Sequence, residues 1–393
     1  MKTMNTQHAT RNTPTPVALL IMTGNTEGSP AERMVAGARR AITRDIVERA
    51  LASGAFAPIV VSTNDPTLIR ALRRYPVEAE LDPAGESFHF GARLRELVAK
   101  YALQKVFYVG GGSAPLLPAK EMARIADELR AADRLLIVNN FYSTDFAAFT
   151  PTSALEAIDL PGADNDLGWQ LGEVAKLPIC ELPRTAATQL DVDTPSDLMT
   201  LSGHPALGPH TRTYLESLDL DTAHVRRATR FFVDRDAEVL VAGRVSAATW
   251  AYLEQETACR VRVFAEERGM RASGRQARGQ ARSILGCLLD QVGVERFFAI
   301  LGEMSQAVFL DSRVLFAHRG LWPTTADRFA SDLRQPEAIA DPFVRDLTTA
   351  AMNAPIPVVM GGHSLVAGGL YALVETAWAT SGVDLPPHLV RYP

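Results

Sequence analysis

Disulfides are the first thing this chain lacks. Its 393 residues hold three cysteines, Cys180, Cys259 and Cys287, too few and too scattered for a disulfide framework or a C-x-x-C metal pair. Buried thiols in a reducing compartment account for them, and a cytoplasmic protein is expected. Long apolar runs are missing as well. The first, residues 17–22, is too short for a signal segment, and no later run approaches the ~18 uninterrupted apolar residues of a membrane span, so no membrane partner is expected. Net charge is only −5, which gives no overall pull toward nucleic acid. Nothing here excludes a homo-oligomer. Lysine is scarce beside arginine, which speaks of genome composition more than of function.

What is present is ordinary globular material, 47% hydrophobic and 22% charged, in a chain long enough for two domains of ~150 residues. Residues 1–16 are polar, carry Pro14 and Pro16, and read as a disordered leader. Breakers cluster at Ser202-Gly203-His204-Pro205 and Gly208-Pro209. They divide the rest into a domain over 17–203 and another over 210–393.

Residues 17–22 are continuously apolar and end in Thr23-Gly24-Asn25, the pattern of a strand buried on both faces. Met34, Ala38, Ile42, Ile46 and Leu51 then recur near helical spacing. Further strands are expected over 58–63, 105–109 and 134–139, with helices over 90–103 and 122–129. The alternation predicts an α/β fold with a mostly parallel sheet. The second half reads alike, with strands over 238–242, 259–264, 307–310 and 357–360. Residues 314–317 read as one more strand beside 307–310, and helices are expected over 225–232, 249–256, 281–292 and 296–302.

The densest chemistry is Leu190-Asp191-Val192-Asp193-Thr194-Pro195-Ser196-Asp197-Leu198. Two carboxylates two residues apart can put oxygens beside one divalent ion, and Mg²⁺ is typically held by one or two carboxylates plus substrate phosphates. The same run can cap a helix, Thr194 at the cap and Pro195 at the first helical position, though capping leaves Asp191 and Asp193 unexplained. Asp164 and Asp166 read as caps of a helix around 169–174, with substrate recognition as the alternative. Upstream, a loop holding Gly24, Asn25 and Gly28 leads into Arg33-Met34, and the strand over 105–109 leads into Gly112-Ser113-Ala114-Pro115-Leu116-Leu117.

From 17 to 201 the order of these features resembles the GT-A-like nucleotidyltransferases, nearest to the molybdenum-cofactor and 2-phospho-lactate guanylyltransferase type. Residues 191–198 match the family's D-x-D-T-P-x-D-L. The loop after the first strand corresponds to its G-G-x-S-x-R-M-G, whose backbone N–H groups cradle a triphosphate. Ser87 and His89 stand where the family recognises the base, and residues 112–117 correspond to its G-D-x-P-L-L. The resemblance implies a Rossmann-like fold and transfer of NMP from an NTP to a phosphorylated small-molecule acceptor, with Mg²⁺ and release of pyrophosphate. It places Asp191 and Asp193 on the metal and Arg33 on the phosphates. Gly24, Asn25, Ser87, His89, Gly112 and Ser113 would line the nucleotide.

Four positions depart from that pattern. The double glycine is not kept, and Val35 replaces the glycine after Arg-Met. No lysine follows, which leaves Arg39 or Arg40 as substitutes. Ser113 stands where the family has its principal metal-ligating Asp, which removes one full ligand charge. The alternative reading is therefore a catalytically degenerate nucleotide-binding sensor or assembly module. Ser87 and His89 also read as helix-end residues.

No family is recognised beyond residue 210. Arg271, Arg275, Arg278 and Arg282 recur at helical spacing and would suit phosphates, but Gly274 and Gly279 weaken a helix there, and a solvated loop is the plainer reading. Gly361-Gly362-His363-Ser364 follows a strand, a second candidate site for an anion or small ligand. The run also approaches the G-x-S-x-G elbow of hydrolases, although Val366 replaces the second glycine and only Asp384 and His388 follow as partners.

Overall fold

The computed structural model describes residues 15–24, 28–83 and 88–382. The expected leader therefore lies almost wholly outside the described residues, as do Asn25, Ser87, Asp384 and His388.

The chain is α/β and builds two sheets. The first has seven strands: β1 (Val17–Thr23), β2 (Phe56–Thr63), β3 (Glu78–Leu81), β4 (Val106–Gly110), β5 (Leu135–Val138), β6 (Phe146–Thr150) and β7 (Ile179–Glu181). Their order is β3-β2-β1-β4-β6-β5-β7. β6 runs antiparallel to both its neighbours and the other pairs are parallel. β1 is buried along its whole length because helices cover both faces. Leu19 and Ile21 enter one core, while Ala18, Leu20 and Met22 enter the other, the two-residue alternation of a strand.

The second sheet is wholly parallel, in the order β11-β10-β8-β9. It comprises β8 (Glu238–Gly243), β9 (Arg260–Ala265), β10 (Ala307–Asp311) and β11 (Val358–Gly361). Val239, Val241 and Phe309 face one core, and Leu240, Ala242 and Val308 the other.

Apolar packing runs between the two sheets. In the helix Pro195–Leu201, Leu198 and Leu201 pack with the first sheet while Met199 packs with the second. Phe329, Tyr371 and Ala372 from the C-terminal half join the first sheet's core. The helix Pro209–Glu216 lies on the helix Pro30–Ser53, where the Tyr214 hydroxyl donates to the Met34 carbonyl at 3.0 Å.

The strand expected over 314–317 is overturned. Residues 314–317 are helical, within Ser312–His318. The Asp311 side chain accepts from the Arg313 N–H and starts a helix directly off β10, so a run buried on all sides had the composition of a strand without its geometry. Residues 271–279 form turns, in line with the loop reading of the arginine-spaced segment. Glu267, Gly269, Gly274 and Gly279 all take positive φ, which a right-handed helix does not admit.

Candidate functional site at the carboxyl edges of the two sheets

β1 and β4 are neighbours whose connections leave in opposite directions, and their carboxyl ends open the crevice where open α/β sheets bind ligands. Gly110-Gly111-Gly112 turns the chain there. The Gly111 N–H donates to the Met22 carbonyl at 2.8 Å. Gly112 takes φ +111°, and a Cβ on it would sit 2.9 Å from the Val192 carbonyl, so close approach and backbone sign both demand glycine.

That approach joins two distant motifs. Ser113 and Asp191 form an antiparallel bridge, the Val192 N–H donates to the Gly112 carbonyl at 3.1 Å, and the Ser113 hydroxyl donates to Asp191 Oδ1 at 3.1 Å. From the helix Pro30–Ser53, Arg39 Nε donates to the Val192 carbonyl at 2.9 Å and Nη2 pairs with Asp193 Oδ1 at 2.6 Å. Arg40 pairs with Asp65 at 2.9 Å. Arg39 and Arg40 are thus both engaged by carboxylates.

Asp145, which the sequence does not mark, and Asp164 share this edge; Asp164 makes no side-chain capping bond to the helix it was expected to start. Asp145 opens β6. Asn139 at the end of β5 holds it, donating from Nδ2 to Asp145 Oδ2 at 2.8 Å. The Tyr108 hydroxyl donates to Asp164 Oδ2 at 2.9 Å. A Cβ built on Gly110 would lie 2.9 Å from Ser113 Oγ and 3.1 Å from Asp164 Oδ2, so these groups surround one point. Asp145, Asp164 and Asp191 keep partial solvent contact. Surrounding protein nevertheless raises all three carboxyls. Burial and Asp164 push Asp145 up to about 7, and burial with Asp193 and Asp145 pushes Asp191 well above the usual range. Asp164 rises by burial against the lowering bond from Tyr108.

Asp197, the last acid of the motif, does other work. It is fully buried, and its Oδ2 accepts from the Asp193 and Thr194 N–H groups at 3.0 and 2.8 Å and from the Thr194 hydroxyl at 2.9 Å. This capping box starts the helix Pro195–Leu201. Burial and the nearby Asp193 push its carboxyl up to about 7.

Arg33 is exposed on the first turn of the helix Pro30–Ser53 and donates to the Gly28 carbonyl. Gly24 is exposed, and a Cβ on it would meet nothing within 4 Å. His89 caps the helix Phe90–Lys100, its Nδ1 accepting from the Ala92 N–H at 3.3 Å.

The second candidate site converges on the first. The turn after β11 packs on residues 191–196: Ser364 Oγ donates to the Asp191 carbonyl at 2.5 Å and Ser196 Oγ to the Met360 carbonyl at 2.7 Å. A Cβ on Gly362 would sit 3.3 Å from Thr194. Beside this turn, the fully buried Asp311 holds Arg244 through Nε at 2.5 Å and Nη2 at 3.1 Å. Burial raises Asp311, but Arg244, His363 and Arg313 outweigh it and hold the carboxyl below its ordinary value. Arg313 makes a buried bidentate pair with Asp332, 2.6 Å on each arm. His363 reaches solvent. Desolvation by the converging chain, with Arg244 and Arg268, holds its ring well below the ordinary histidine value, so it is neutral at pH 7.

Among the described residues, Asp45, Glu48 and His210 bring three ligand atoms within 4.8 Å of one another. Their bonds already explain them. Asp45 accepts from the His210 and Thr211 N–H groups at the start of the helix Pro209–Glu216, and Glu48 bonds His210 at 2.7 Å.

No protein-family model and no curated protein matches the sequence. Among solved structures the chain is similar to a cytidylyltransferase from Leptospira borgpetersenii, at 19% identity and TM-score 0.39, over 51% of this chain and 92% of that one. It is also similar to a nucleotidyl transferase from Methanothermobacter, at 14% identity and TM-score 0.38, over 52% of this chain and 99% of that one. A CMP:2-keto-3-deoxy-manno-octonic acid synthetase complexed with CTP matches at 15% identity and TM-score 0.33, over 48% and 97%.

Proposed function

We propose that the protein is a nucleotidyltransferase that moves NMP from an NTP to a phosphorylated small molecule with release of pyrophosphate. The observation that carries this reading is the join between Ser113 and Asp191, 78 residues apart, at the strand-order reversal of the first sheet. It lays a glycine turn and a carboxylate run side by side where a phosphate ester and its counter-charge must meet.

Asp191 and Asp193, with Asp145 and Asp164 beside them, would hold Mg²⁺. All are hard oxygen donors, and burial together with neighbouring acid charge raises the carboxyls of Asp145, Asp164 and Asp191, a cost that a divalent cation relieves. When bound, the ion supplies positive charge to the transferring phosphoryl group. Arg39 fixes residues 192 and 193 from behind. Arg33, whose charge faces solvent beside Gly28, binds the triphosphate, and Gly24, Gly112 and Ser113 line the nucleotide. Asn25, Ser87 and His89 belong to the nucleotide-binding set in this reading. Asp164, reached through Asp145's neighbourhood, offsets the ligand charge absent at Ser113.

One observation favours a second reading. Ser113 and Arg39 already satisfy Asp191 and Asp193, as they would in a nucleotide-binding module that has lost turnover. Thermal shift with GTP, CTP, UTP, ATP and dTTP, with and without Mg²⁺, tests both, since a ligand of the native state raises the melting point. A Mg²⁺-dependent shift followed by pyrophosphate release supports the transferase. Mg²⁺-independent binding without release supports the module, and no shift with any nucleotide removes both.

A further inference from the structure

We infer that the carboxyl edge of the second sheet is an anion site, formed by Arg244, Arg268, Arg271, Arg328 and His363, that holds the phosphate group of the acceptor across from Asp193. The word acceptor rests on the transferase reading; the site rests on the geometry below.

β8 and β10 are neighbours, but β8 connects onward to β9 on one side and β10 to β11 on the other. This is a second strand-order reversal, and ligands of open α/β sheets lie outside the carboxyl ends at such points. Gly243 ends β8 at φ +121°, where a Cβ would collide with Asp311 Cβ at 2.4 Å. The close approach presents Arg244 to Asp311, which fixes its guanidinium by two bonds and leaves Nη1 without a protein acceptor among the described residues. An arginine oriented from one side by a buried carboxylate presents its remaining N–H groups rigidly to an anion on the other.

The segment after β9 adds charge to the same edge, tied there by the Glu266 N–H donating to the Gly243 carbonyl at 2.8 Å. Arg268 and Arg271 on it are exposed, and among the described residues no carboxylate lies within 4.0 Å of Arg268, Arg271 or Arg328. Arg328 is half-buried over Trp322, 4.9 Å from the ring centre. Burial and the charge of Arg313, with Arg271 beyond it, lower its pKa to about 10 against the opposing pull of Asp332. A half-buried guanidinium repelled by its own kind, with Asp332 already paired to Arg313, is the environment a doubly charged anion neutralises. Of the acids facing this edge, Asp311 and Asp332 are paired to Arg244 and Arg313, and Asp193, which faces His363, is paired to Arg39. Glu32, which opens the phosphate loop's helix, faces Arg328 from the first sheet. His363 adds a neutral imidazole donor. Because Ser364 is bonded to Asp191, a phosphate here lies beside the proposed nucleotide site rather than on a remote face.

Isothermal titration of the full chain with inorganic phosphate tests the site. The variant R268E/R271E alters two exposed residues of a surface turn, and R268Q/R271Q repeats the test with shape closer to wild type. Wild-type binding that weakens at least ~tenfold in both variants and in H363A, yet persists in R33A, supports the assignment. Absence of phosphate binding by the wild type, or wild-type affinity in R268E/R271E, overturns it. The same proteins are titrated with nucleotide, and loss of phosphate binding with retention of nucleotide binding separates this site from that reading.

Discussion

The hydroxyl of Ser364 donates to the main-chain carbonyl of Asp191 across 2.5 Å. The glycine turn of the second sheet is thereby clipped to the carboxylate run of the first. The bond uses the proton that a nucleophilic serine would have to give to a base. Ser364→Ala is expected to lower stability by about 1 kcal/mol, the net value of one such hydrogen bond, measured by urea unfolding. Fluorophosphonate should leave Ser364 unlabelled in the native protein. Stoichiometric labelling would restore the hydrolase reading.

Ser113→Asp puts a second carboxylate against Asp191, whose Oδ1 now lies 3.1 Å from the Ser113 hydroxyl. Without metal the two charges repel, and the variant should lose roughly 1–3 kcal/mol. With Mg²⁺ the same pair becomes a better ligand set. The melting point of the variant should therefore respond more strongly to Mg²⁺ than that of the wild type. An equal response in both proteins would remove Asp191 from the metal site.

The raised carboxyls set the sign of a pH effect. Asp145 is pushed up to about 7 and Asp191 well above its usual range, whereas an unfolded Asp titrates near ~3.9. The folded protein thus holds protons that the unfolded chain has released. Their contribution to stability is full below ~3.9 and is lost as pH rises through about 7. Mg²⁺ competes with those protons, so its stabilising effect should grow from about pH 5 to about pH 8. Melting curves with and without Mg²⁺ over that range check it, and a Mg²⁺ effect independent of pH would exclude these carboxyls as ligands.

Long apolar runs were the legible part of the fold. β1, β2, β4 and β8 fill cores on both faces, so composition alone marks them. β3 and β7 are short edge strands, with Ile179 on β7 exposed, and β6 carries Ala147-Ala148, which have little strand preference. Missing β6 concealed Asp145. Once Phe146-Ala147-Ala148-Phe149 is a strand beside β4, the acid preceding it falls on the carboxyl edge. The meeting of Asp191 with Ser364 was not legible at all, because each motif is local while their contact spans 173 residues. Arg244 was passed over for a related reason. An arginine after a strand carries no signal until Asp311 is placed beside it.

His224 offers a test of the fold that owes nothing to the site. Its side chain is 2% exposed in the helix Ala223–Thr229, and Nδ1 has no hydrogen-bond partner. Burial and the charge of Arg334 outweigh Asp221 and lower its pKa to about 4, against ~6.5 in an unfolded chain. Between those values the unfolded chain binds a proton that the native helix refuses. Stability is therefore unaffected above ~6.5 and falls as pH drops toward about 4, by roughly 3 kcal/mol when the shift is converted at 1.36 kcal/mol per unit. His224→Leu removes the titrating group while keeping an apolar side chain against Val225 and Ala228's neighbours. Unfolding free energies measured near pH 7.5 and pH 4.5 should converge in the variant by about that amount relative to wild type. Parallel pH profiles for the two proteins would mean that His224 takes up its proton inside the fold, and that the helix opens to water at acid pH.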